Sequence, residues 1–392
     1  MKDIMTELIH HPYQPPEGFD AFPPAVYKAS TVMFKDTKAL LSRSPTNRGG
    51  YTYGLHGTPT SYTLEERIAT LEGGTHCVLA PSGLAAITIV NLGILKTGDE
   101  VLLPNNVYGP SKEQARAMLT GWGITHRLYD PMDVGSLKAA IGPKTRLVWV
   151  EAPGSVTMEF PDLRALVQVA KSGGAGGAIC ALDNTWGSGL AFSAFDLGVD
   201  ISMHALTKYP SGGADVLMGS VVTRDEQLHH RMHQAHSVLG IGVAANDIEF
   251  VLRALPSLRI RYDAHDRTAR ALASWLQQQP QVRQVLHPAL PRSPGHEHWK
   301  SHCTAAAGLF SVLFDPRYTT QQVHAFVDAL KIFKIGFSWG GPMSLAVPYD
   351  LDAMRTGAAR PAGHLVRFSI GLESIEALQQ DIEAGLKAAF GS

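Results

Sequence analysis

Two side chains that can do covalent and acid-base chemistry follow apolar segments of the kind that form buried strands. Lys208 follows the segment 201–207, and Asp183 follows the run 178–182. In an open α/β sheet, ligands bind at the carboxyl ends of the strands. We therefore expect the two side chains to lie at the same edge of a sheet, where the amine of Lys208 can act as a nucleophile.

These two groups match what pyridoxal 5′-phosphate (PLP) needs from a protein. A lysine holds this cofactor as a Schiff base, and an acid keeps its pyridine nitrogen protonated. Taken alone, the pair is a weak signal, because a lysine after a strand is more often a solvated strand end. Both interpretations stay open until other motifs are considered.

Composition and charge exclude several classes of partner. The chain has 392 residues, of which 45% are hydrophobic and 18% charged, enough for a large core and two domains. Its net charge of -1, without a basic run, gives no general attraction to nucleic acid or anionic lipid. It lacks a signal-peptide pattern or a membrane-length apolar stretch, and its cysteines are few and widely spaced. We expect a cytoplasmic protein with reduced thiols that binds neither nucleic acid nor membranes.

The order of apolar patterns predicts the fold. From Thr60 onward, helical and strand periodicities alternate at the spacing of βαβ units, which predicts an α/β fold with a mostly parallel sheet. Strands are predicted at 77–80, 100–103, 125–128, 146–150, 282–286 and 309–314. We divide the chain into a proline-rich extended arm (1–58), a large cofactor-binding domain (59–257) and a smaller C-terminal α+β domain (258–392).

A phosphate site is predicted where the first strand leads into a helix. Residues 80–85 read Ala-Pro-Ser-Gly-Leu-Ala, so Gly83 allows close backbone approach and the helix start offers free amides. Alone the motif is weak, since serine is also a common helix cap without a ligand. The glycine-rich stretch 173–177 precedes a strand and is interpreted as a connecting loop.

Two other patterns suggest different chemistry. Residues 336–340 match G-x-S-x-G, and His364 follows in the order of an α/β-hydrolase, but Gly340 and the next residues, Gly-Pro, do not start the required helix. His229, His233 and His236 share one helical face, yet no carboxylate or H-E-x-x-H arrangement accompanies them. We predict no hydrolase and no metal site, and a solvated or interface helix for the histidines.

A set of motifs in a fixed order identifies a family. The chain resembles the Cys/Met-metabolism PLP-dependent enzymes from about Pro23 to its end, and most closely their bacterial cystathionine β-lyase branch. The motifs are Tyr53-Gly54, Gly57-Thr58-Pro59-Thr60, Pro81-Ser82-Gly83, Tyr108-Gly109-Pro110-Ser111, Glu151-Ala152-Pro153-Gly154-Ser155, Asp183-Asn184-Thr185-Trp186, Thr207-Lys208-Tyr209 and Ser338-Trp339-Gly340-Gly341. The resemblance implies fold type I, the PLP-dependent transferase-like fold, and PLP as the cofactor.

The resemblance assigns roles around the cofactor. It implies that Lys208 is the Schiff-base lysine, that Asp183 holds the pyridine nitrogen and that Tyr108 stacks on the ring. The residues that would bind the phosphate are Gly83, Leu84 and Thr207. Tyr53 would reach the site of a neighbouring subunit, so the resemblance implies a homo-oligomer, commonly a tetramer in this family.

Other residues would bind the substrate, a small sulfur amino acid. Arg367 would clamp the α-carboxylate, helped by Ser338, because a guanidinium matches a carboxylate with two parallel hydrogen bonds. Without the family, a charge on a surface strand is the simpler interpretation of Arg367. Trp339 marks the β-lyase branch, and His56 and Glu113 would lie toward the distal end of the substrate.

The resemblance implies β-elimination, most directly the cleavage of L-cystathionine to homocysteine, pyruvate and ammonia, with Lys208 moving the proton at Cα and Lys208 or Tyr53 protonating the thiol. A broader cysteine-conjugate or methionine lyase is the alternative within the family, and a PLP-binding regulatory protein is the alternative from another class.

The chain departs from the family's usual pattern at one phosphate-binding position. The family usually has an arginine that helps bind the phosphate two residues after the site tyrosine, but this chain has Leu55, so another cation such as Arg48 would have to replace it.

Overall fold

Helices and strands alternate along most of the chain in this computed structural model, which describes residues 3–19, 21–43, 50–173, 177–354 and 363–391. The strands are β1 His76–Ala80, β2 Glu100–Pro104, β3 Thr125–Tyr129, β4 Thr145–Glu151, β5 Ile179–Asp183, β6 Ile201–His204, β7 Gly219–Thr223, β8 Val282–Leu286, β9 Leu309–Phe314, β10 Leu345–Tyr349 and β11 Leu365–Ser369.

The α-helices alternate with these strands, and several begin at a capping side chain. They are α1 Ile4–Ile9, α2 Thr37–Leu41, α3 Pro59–Glu72, α4 Gly83–Ile94, α5 Gly109–Gln114, α6 Val134–Ala140, α7 Leu163–Ser172, α8 Glu226–Leu239, α9 Ala245–Ala254, α10 Leu258–Leu276, α11 His296–His302, α12 Thr320–Ala329, α13 Leu351–Met354 and α14 Ile375–Phe390. For example, α3 starts with a capping box between Thr58 and Ser61 and ends at Gly73, whose φ of 76° is left-handed.

The first seven strands form the larger sheet of the described residues, in the order β1-β7-β6-β5-β4-β2-β3. The pairs β2–β3, β2–β4, β4–β5 and β5–β6 are parallel, and β7 is antiparallel to both of its neighbours. This arrangement confirms the predicted α/β fold with a mostly parallel sheet. It also places the carboxyl ends of β4, β5 and β6 side by side.

A smaller antiparallel sheet follows, in the order β10-β11-β9-β8 within the described part of the chain. Its apolar face packs against α10, α12 and α14. One cluster of buried side chains connects the two sheets, since it includes Leu182 of β5, Leu309 of β9 and Leu365 of β11. The boundaries at 58 and 257 remain a proposal, although β7 ends before residue 257 and β8 starts after it.

The structure differs from the sequence predictions in three places. The short helices α1 and α2 interrupt the arm that was expected to be extended, because Asp3 and Asp36 cap them. The helix expected from Ser111 begins at Gly109 as α5 and continues as a π-type turn over Ala115–Leu119. Strand β7 was not predicted. None of the described helices has the length and apolar character needed to cross a membrane.

Tyr209 connects the two parts of the structure. Its buried hydroxyl accepts a hydrogen bond of 2.7 Å from the backbone N–H of Gly308. Its ring packs edge-on against Tyr262, His265 and Trp339. Because Tyr209 directly follows Lys208, this contact also fixes the chain next to the predicted nucleophile.

We expect Tyr209→Phe to lower the free energy of unfolding by about 1–3 kcal/mol, because it leaves the buried N–H of Gly308 without an acceptor. Urea denaturation at a fixed protein concentration measures the change. The matched control is Tyr318→Phe, at a partly exposed tyrosine of the small domain. Equal stability of the two variants would contradict the prediction.

Candidate active site

A cavity of about 560 Å³ lies at the carboxyl ends of β4, β5 and β6, between the two sheets. Most of the residues predicted from sequence line it: Gly83, Leu84, Tyr108, Asp183, Thr207, Lys208, Ser338, Trp339 and Arg367. The larger sheet supplies the predicted cofactor groups, and the segments around β10 and β11 supply Ser338, Trp339 and Arg367. The cavity is therefore assembled from both parts of the chain.

Lys208 is partly buried, and its surroundings favour the neutral amine. Its Nζ donates a hydrogen bond of 3.0 Å to Oγ of Ser338 and lies 5.3 Å from the ring centre of Trp339. Burial lowers the pKa of Lys208 to about 8; the positive charge of Arg367 acts in the same direction and Asp183 acts against it. A larger fraction of Lys208 is therefore neutral near pH 7 than for an exposed lysine, as a nucleophile requires.

Asp183 ends β5, is partly buried and lines the cavity. Oδ1 accepts a hydrogen bond of 3.0 Å from the backbone N–H of Thr185. Burial raises the pKa of Asp183, whereas hydrogen bonding by Thr185 and the charges of His204 and Lys208 lower it. A buried carboxylate in a cavity is stabilised by a cationic partner, and a protonated pyridine nitrogen is one.

The start of α4 offers a phosphate cradle. Oγ of Ser82 accepts from Ala85 N at 3.0 Å, and the Ser82 carbonyl accepts from Ala86 N. The two preceding amides, those of Gly83 and Leu84, are thus left for an anion at the positive end of the helix dipole. A methyl group on Gly83 would lie 2.7 Å from Cβ of Ala205, so only glycine lets the helix approach β6 this closely.

The hydroxyl of Thr207 is engaged by the backbone. It donates to the carbonyl of Met218 at 3.1 Å and accepts from the N–H of Met218 at 2.9 Å. Its single proton is therefore committed to a strand contact, and binding phosphate through this hydroxyl would require that bond to break. The proposed phosphate role of Thr207 remains a prediction.

Tyr108 faces the cavity from the start of α5. Its backbone N–H donates to Oε2 of Glu151 at 2.8 Å, and the residue as a whole is 42% exposed. Burial, together with the negative charges of Asp183 and Glu151, raises the pKa of the Tyr108 hydroxyl. An exposed ring beside Asp183 is compatible with the predicted stacking on a pyridine ring.

Arg367 lies on β11 with only 9% of its surface exposed, which rules out the interpretation as a solvated surface charge. Its guanidinium lies 5.2 Å from the ring centre of Tyr349, and one Nη contacts the Ser338 carbonyl at 3.4 Å. Its Nε has no hydrogen-bond partner among the described residues. A buried guanidinium with an unused donor at a cavity is suited to a carboxylate ligand.

Three predicted site residues lie outside this cavity. Tyr53 is 48% exposed and pairs with Thr31 in the arm. Nδ1 of His56 lies 2.9 Å from Oγ1 of Thr52. Glu113 forms an exposed ion pair of 2.6 Å with Arg116. Within one chain, none of the three is brought to the predicted cofactor groups.

The residue at the position of the missing arginine has a structural contact. A methyl group on Gly242 would lie 3.2 Å from Cδ1 of Leu55, so Leu55 packs close to the loop before α9. Arg48, the cation suggested as a replacement, lies outside the described residues.

Sequence reasoning missed several lining residues, including Glu151, Thr185, Phe337, Tyr349 and Met354. Glu151 and Thr185 follow strand ends, the same signal that identified Asp183. The other three belong to the small domain, where no local pattern indicates which side chains reach the larger sheet.

The alternative chemistries lack the geometry they need. Ser338 contacts Lys208 and Arg367, whereas Nδ1 of His364 lies 3.4 Å from Oγ1 of Thr320, and the next described element after Ser338 is strand β10 rather than a helix. The rings of His229, His233 and His236 form a row along α8 with centroids 5.9–6.1 Å apart. In the part of the chain that the structure describes, no three His, Cys, Asp or Glu side chains are arranged to hold a metal ion.

Known proteins are similar to this chain over nearly its whole length. The family described as "Cys/Met metabolism PLP-dependent enzyme" matches residues 5–387. A provisionally assigned cystathionine beta-lyase of Rhizobium johnstonii is 40% identical, covering 98% of this chain and 96% of that protein. An L-alanine/L-glutamate racemase of Wolbachia pipientis wMel is 34% identical, and the match covers 93% of this chain and 92% of the racemase. A cystathionine gamma synthase from Xanthomonas oryzae pv. oryzae, solved with aminoacrylate and cysteine, has a TM-score of 0.90 at 30% identity and covers 99% of both chains.

We expect Gly83→Ala to weaken PLP binding about tenfold, because the added methyl pushes the start of α4 away from Ala205 and displaces the free amides. Equilibrium dialysis of the purified protein measures the dissociation constant. In the control variant Gly121→Ala, the methyl meets no atom within 4 Å. A dissociation constant that is unchanged in Gly83→Ala would argue against the cradle.

We expect Arg367→Gln to raise the pKa of Lys208 by an amount on the order of one unit, because it removes the nearby positive charge that disfavours the ammonium form. At pH 7.5 the neutral fraction of the amine then falls. The measurement is the rate at which acetic anhydride labels Lys208 in cofactor-free protein as a function of pH, followed by peptide mass spectrometry. Arg116→Gln, which removes an exposed charge outside the cavity, is the control, and identical labelling midpoints in both variants would refute the coupling.

Proposed function

Because the chain belongs to the Cys/Met-metabolism family of PLP-dependent enzymes, we propose that it is a carbon–sulfur β-lyase that converts L-cystathionine and water to homocysteine, pyruvate and ammonia. Family membership confirms the predicted resemblance and the predicted cofactor. The observation that supports a reaction at an amino acid is the convergence of Lys208, Asp183 and Arg367 on one cavity. The name of the Rhizobium relative favours the β-lyase reaction within the family.

When bound, PLP supplies an aldehyde for covalent attachment and a ring that accepts the electrons left at the substrate Cα. Asp183 would keep the ring nitrogen protonated through its buried carboxylate. The amides of Gly83 and Leu84 would bind the phosphate. The exposed face of Tyr108 would position the ring above Asp183.

Arg367 would orient the substrate. Its unused Nε and its Nη groups can form two parallel hydrogen bonds to an α-carboxylate. The low exposure of Arg367 excludes water from this contact and strengthens it. With the carboxylate held by Arg367, the substrate Cα would lie in the cavity that Lys208 also lines.

Lys208 would act as the base and then as an acid. A pKa of about 8 leaves part of its amine neutral near pH 7, and Ser338 accepts a hydrogen bond from it at 3.0 Å. The amine can take the Cα proton, after which the Cβ–S bond breaks and the thiolate leaves as homocysteine once protonated. Positioned acid-base help of this kind accelerates reactions by about 10²–10⁴-fold.

A neighbouring subunit would contribute the predicted site residues that lie outside the cavity of their own chain. Tyr53 would protonate the leaving thiol or contact the cofactor of the adjacent protomer, because the cavity of its own chain does not contain it. His56 and Glu113 would approach the distal end of the substrate in the same way, next to Trp339. We accordingly propose a homo-oligomer, a tetramer by family resemblance, working in the cytoplasm.

Other reactions are supported by specific relatives. The Wolbachia protein is named a racemase, and removal and return of the Cα proton could use the same three groups, Lys208, Asp183 and Arg367. A broader cysteine-conjugate lyase also releases pyruvate, whereas a methionine lyase releases 2-oxobutyrate. A regulatory protein would bind PLP without turnover.

We expect the pure protein to release pyruvate from L-cystathionine and Lys208→Ala to lose at least about 10³-fold in rate, because the base is removed. Pyruvate and 2-oxobutyrate are separated by chromatography, and racemisation is followed with L-alanine on a chiral column. Borohydride treatment of the wild type should leave the cofactor mass on the Lys208 peptide. Lys171→Ala, which removes an exposed lysine paired with Asp200, is the control.

Three results would contradict the proposal. Release of 2-oxobutyrate alone would favour a methionine lyase. Racemisation without pyruvate would favour the Wolbachia-type reaction. An unmodified Lys208 peptide in protein that contains the cofactor would remove the base from the mechanism.

A further inference from the structure

A buried polar cluster lies behind the cofactor groups and does not line the cavity. It consists of Glu72, Asn184, Ser202 and His204, with exposures of 0–2%. Oε2 of Glu72 accepts from Nδ2 of Asn184 at 2.8 Å and from Oγ of Ser202 at 2.7 Å. Oε1 of Glu72 lies 2.9 Å from Nδ1 of His204.

The position of Glu72 is unfavourable without these partners. It is the last residue of α3, where the negative end of the helix dipole repels a carboxylate, and it is surrounded by buried apolar side chains. Three donors converge on it, which offsets the cost of burying the group.

The direction of the hydrogen bonds indicates which ring nitrogen of His204 donates to Glu72. An ionised carboxylate only accepts, so Nδ1 of His204 must carry the hydrogen. Its other ring nitrogen, Nε2, lies 3.4 Å from Oγ of Ser188, which can donate to it or accept from it. The ring can therefore hold a proton on both nitrogens and form an ion pair with Glu72.

The cluster is joined to Asp183 by the backbone. Asn184 directly follows Asp183, and its N–H donates to the carbonyl of Met203 at 2.8 Å. Ala205, which follows His204, donates its N–H to Oγ1 of Thr185 at 3.0 Å. Thr185 in turn donates to Asp183, so Glu72 clamps the ends of the two strands that carry Asp183 and lead to Lys208.

We propose that Glu72 and His204 are positioning residues that hold Asp183 ionised beneath the cofactor ring: Glu72 anchors His204, and the charge of His204 favours the Asp183 carboxylate. The inference depends on PLP binding but not on which sulfur substrate is cleaved. The charged and titratable groups around Asp183 are Glu151 of β4, which pairs with Asp183 in register, His204 from β6, Lys208 after β6 and Tyr108 before α5. The group facing His204 from α3 is Glu72.

The sign of the effect follows from these charges. The positive charge of His204 lowers the pKa of Asp183, against the effect of burial. Without it, the pKa of Asp183 rises, so the carboxylate is lost at a higher pH as the solution is acidified. Cofactor affinity should then fall at acidic pH and return to the wild-type value at alkaline pH.

The test is His204→Asn, because Asn can still donate an N–H to Glu72 but cannot carry a charge. The dissociation constant of PLP is measured by equilibrium dialysis from pH 5.5 to 9. We expect the acidic midpoint of binding to move up by an amount on the order of one unit, with about tenfold weaker binding near pH 6 and equal binding at pH 9. Activity is not part of this measurement, so failure of the proposed lyase reaction would be seen separately in the pyruvate assay.

Two further variants make the outcome decisive. Ser202→Ala removes one hydrogen bond to Glu72 but keeps both charged partners, and should leave the midpoint unchanged. Glu72→Gln removes the anchor of the positive charge and should move the midpoint in the same direction as His204→Asn, which keeps the test available if that variant does not fold. Affinity lost equally at every pH, an unmoved midpoint in both variants, or an equal shift in Ser202→Ala would overturn the proposal.

Discussion

The burial of charge around one cavity is the constraint on which the rest of this structure depends. Asp183, Lys208 and Arg367 are each held at least partly away from water, and burial acts on the pKa of all three. Burial of an ion is costly unless an opposite charge or a hydrogen-bond donor compensates it. In the described residues the compensation of Arg367 is incomplete, since its Nε has no partner. A site with unsatisfied charge is prepared for a charged ligand, and an amino acid joined to a phosphorylated pyridine carries the complementary charges.

The larger sheet and the small domain make different contributions to this site. The parallel strands β4, β5 and β6 bring Glu151, Asp183 and the segment before Lys208 to one edge, as the topology of such sheets requires. Arg367 comes from an antiparallel strand whose position is set by contacts such as that of Tyr209 with Gly308. Because Ser338 contacts both Lys208 and Arg367, a shift between the two parts would change the surroundings of the proposed acid-base group and of the proposed carboxylate clamp together.

Local sequence patterns were enough to predict the helices, strands and side chains whose positions depend on residues nearby in the sequence. Asp183 and Lys208 were identified because each ends an apolar run, and Gly83 because it follows a capping serine. Glu72 was missed because a glutamate near a helix end is usually exposed, and its partners Asn184 and His204 are 112 and 132 residues away. Tyr349 and β7 were missed for a similar reason, since their neighbours are set by tertiary contacts. The roles of Tyr53, His56 and Glu113 came from the family and depend on a second chain, so a single chain neither supports nor excludes them.

Lys208, Asp183 and Arg367 could serve several reactions of this family, so other residues must determine which reaction occurs. Lyase, synthase and racemase chemistry all begin with removal of the Cα proton beside a carboxylate held by a cation, and Lys208 and Arg367 can serve each of them. What happens next depends on whether a leaving group at Cβ is aligned for departure and whether an acid is near it. In this chain that region is lined by Trp339, Tyr349 and Phe337 and would be closed by Tyr53 of a neighbouring protomer. In the proposed oligomer, the arm of a neighbouring protomer would therefore supply the acid and part of the wall that decide whether the carbon–sulfur bond breaks.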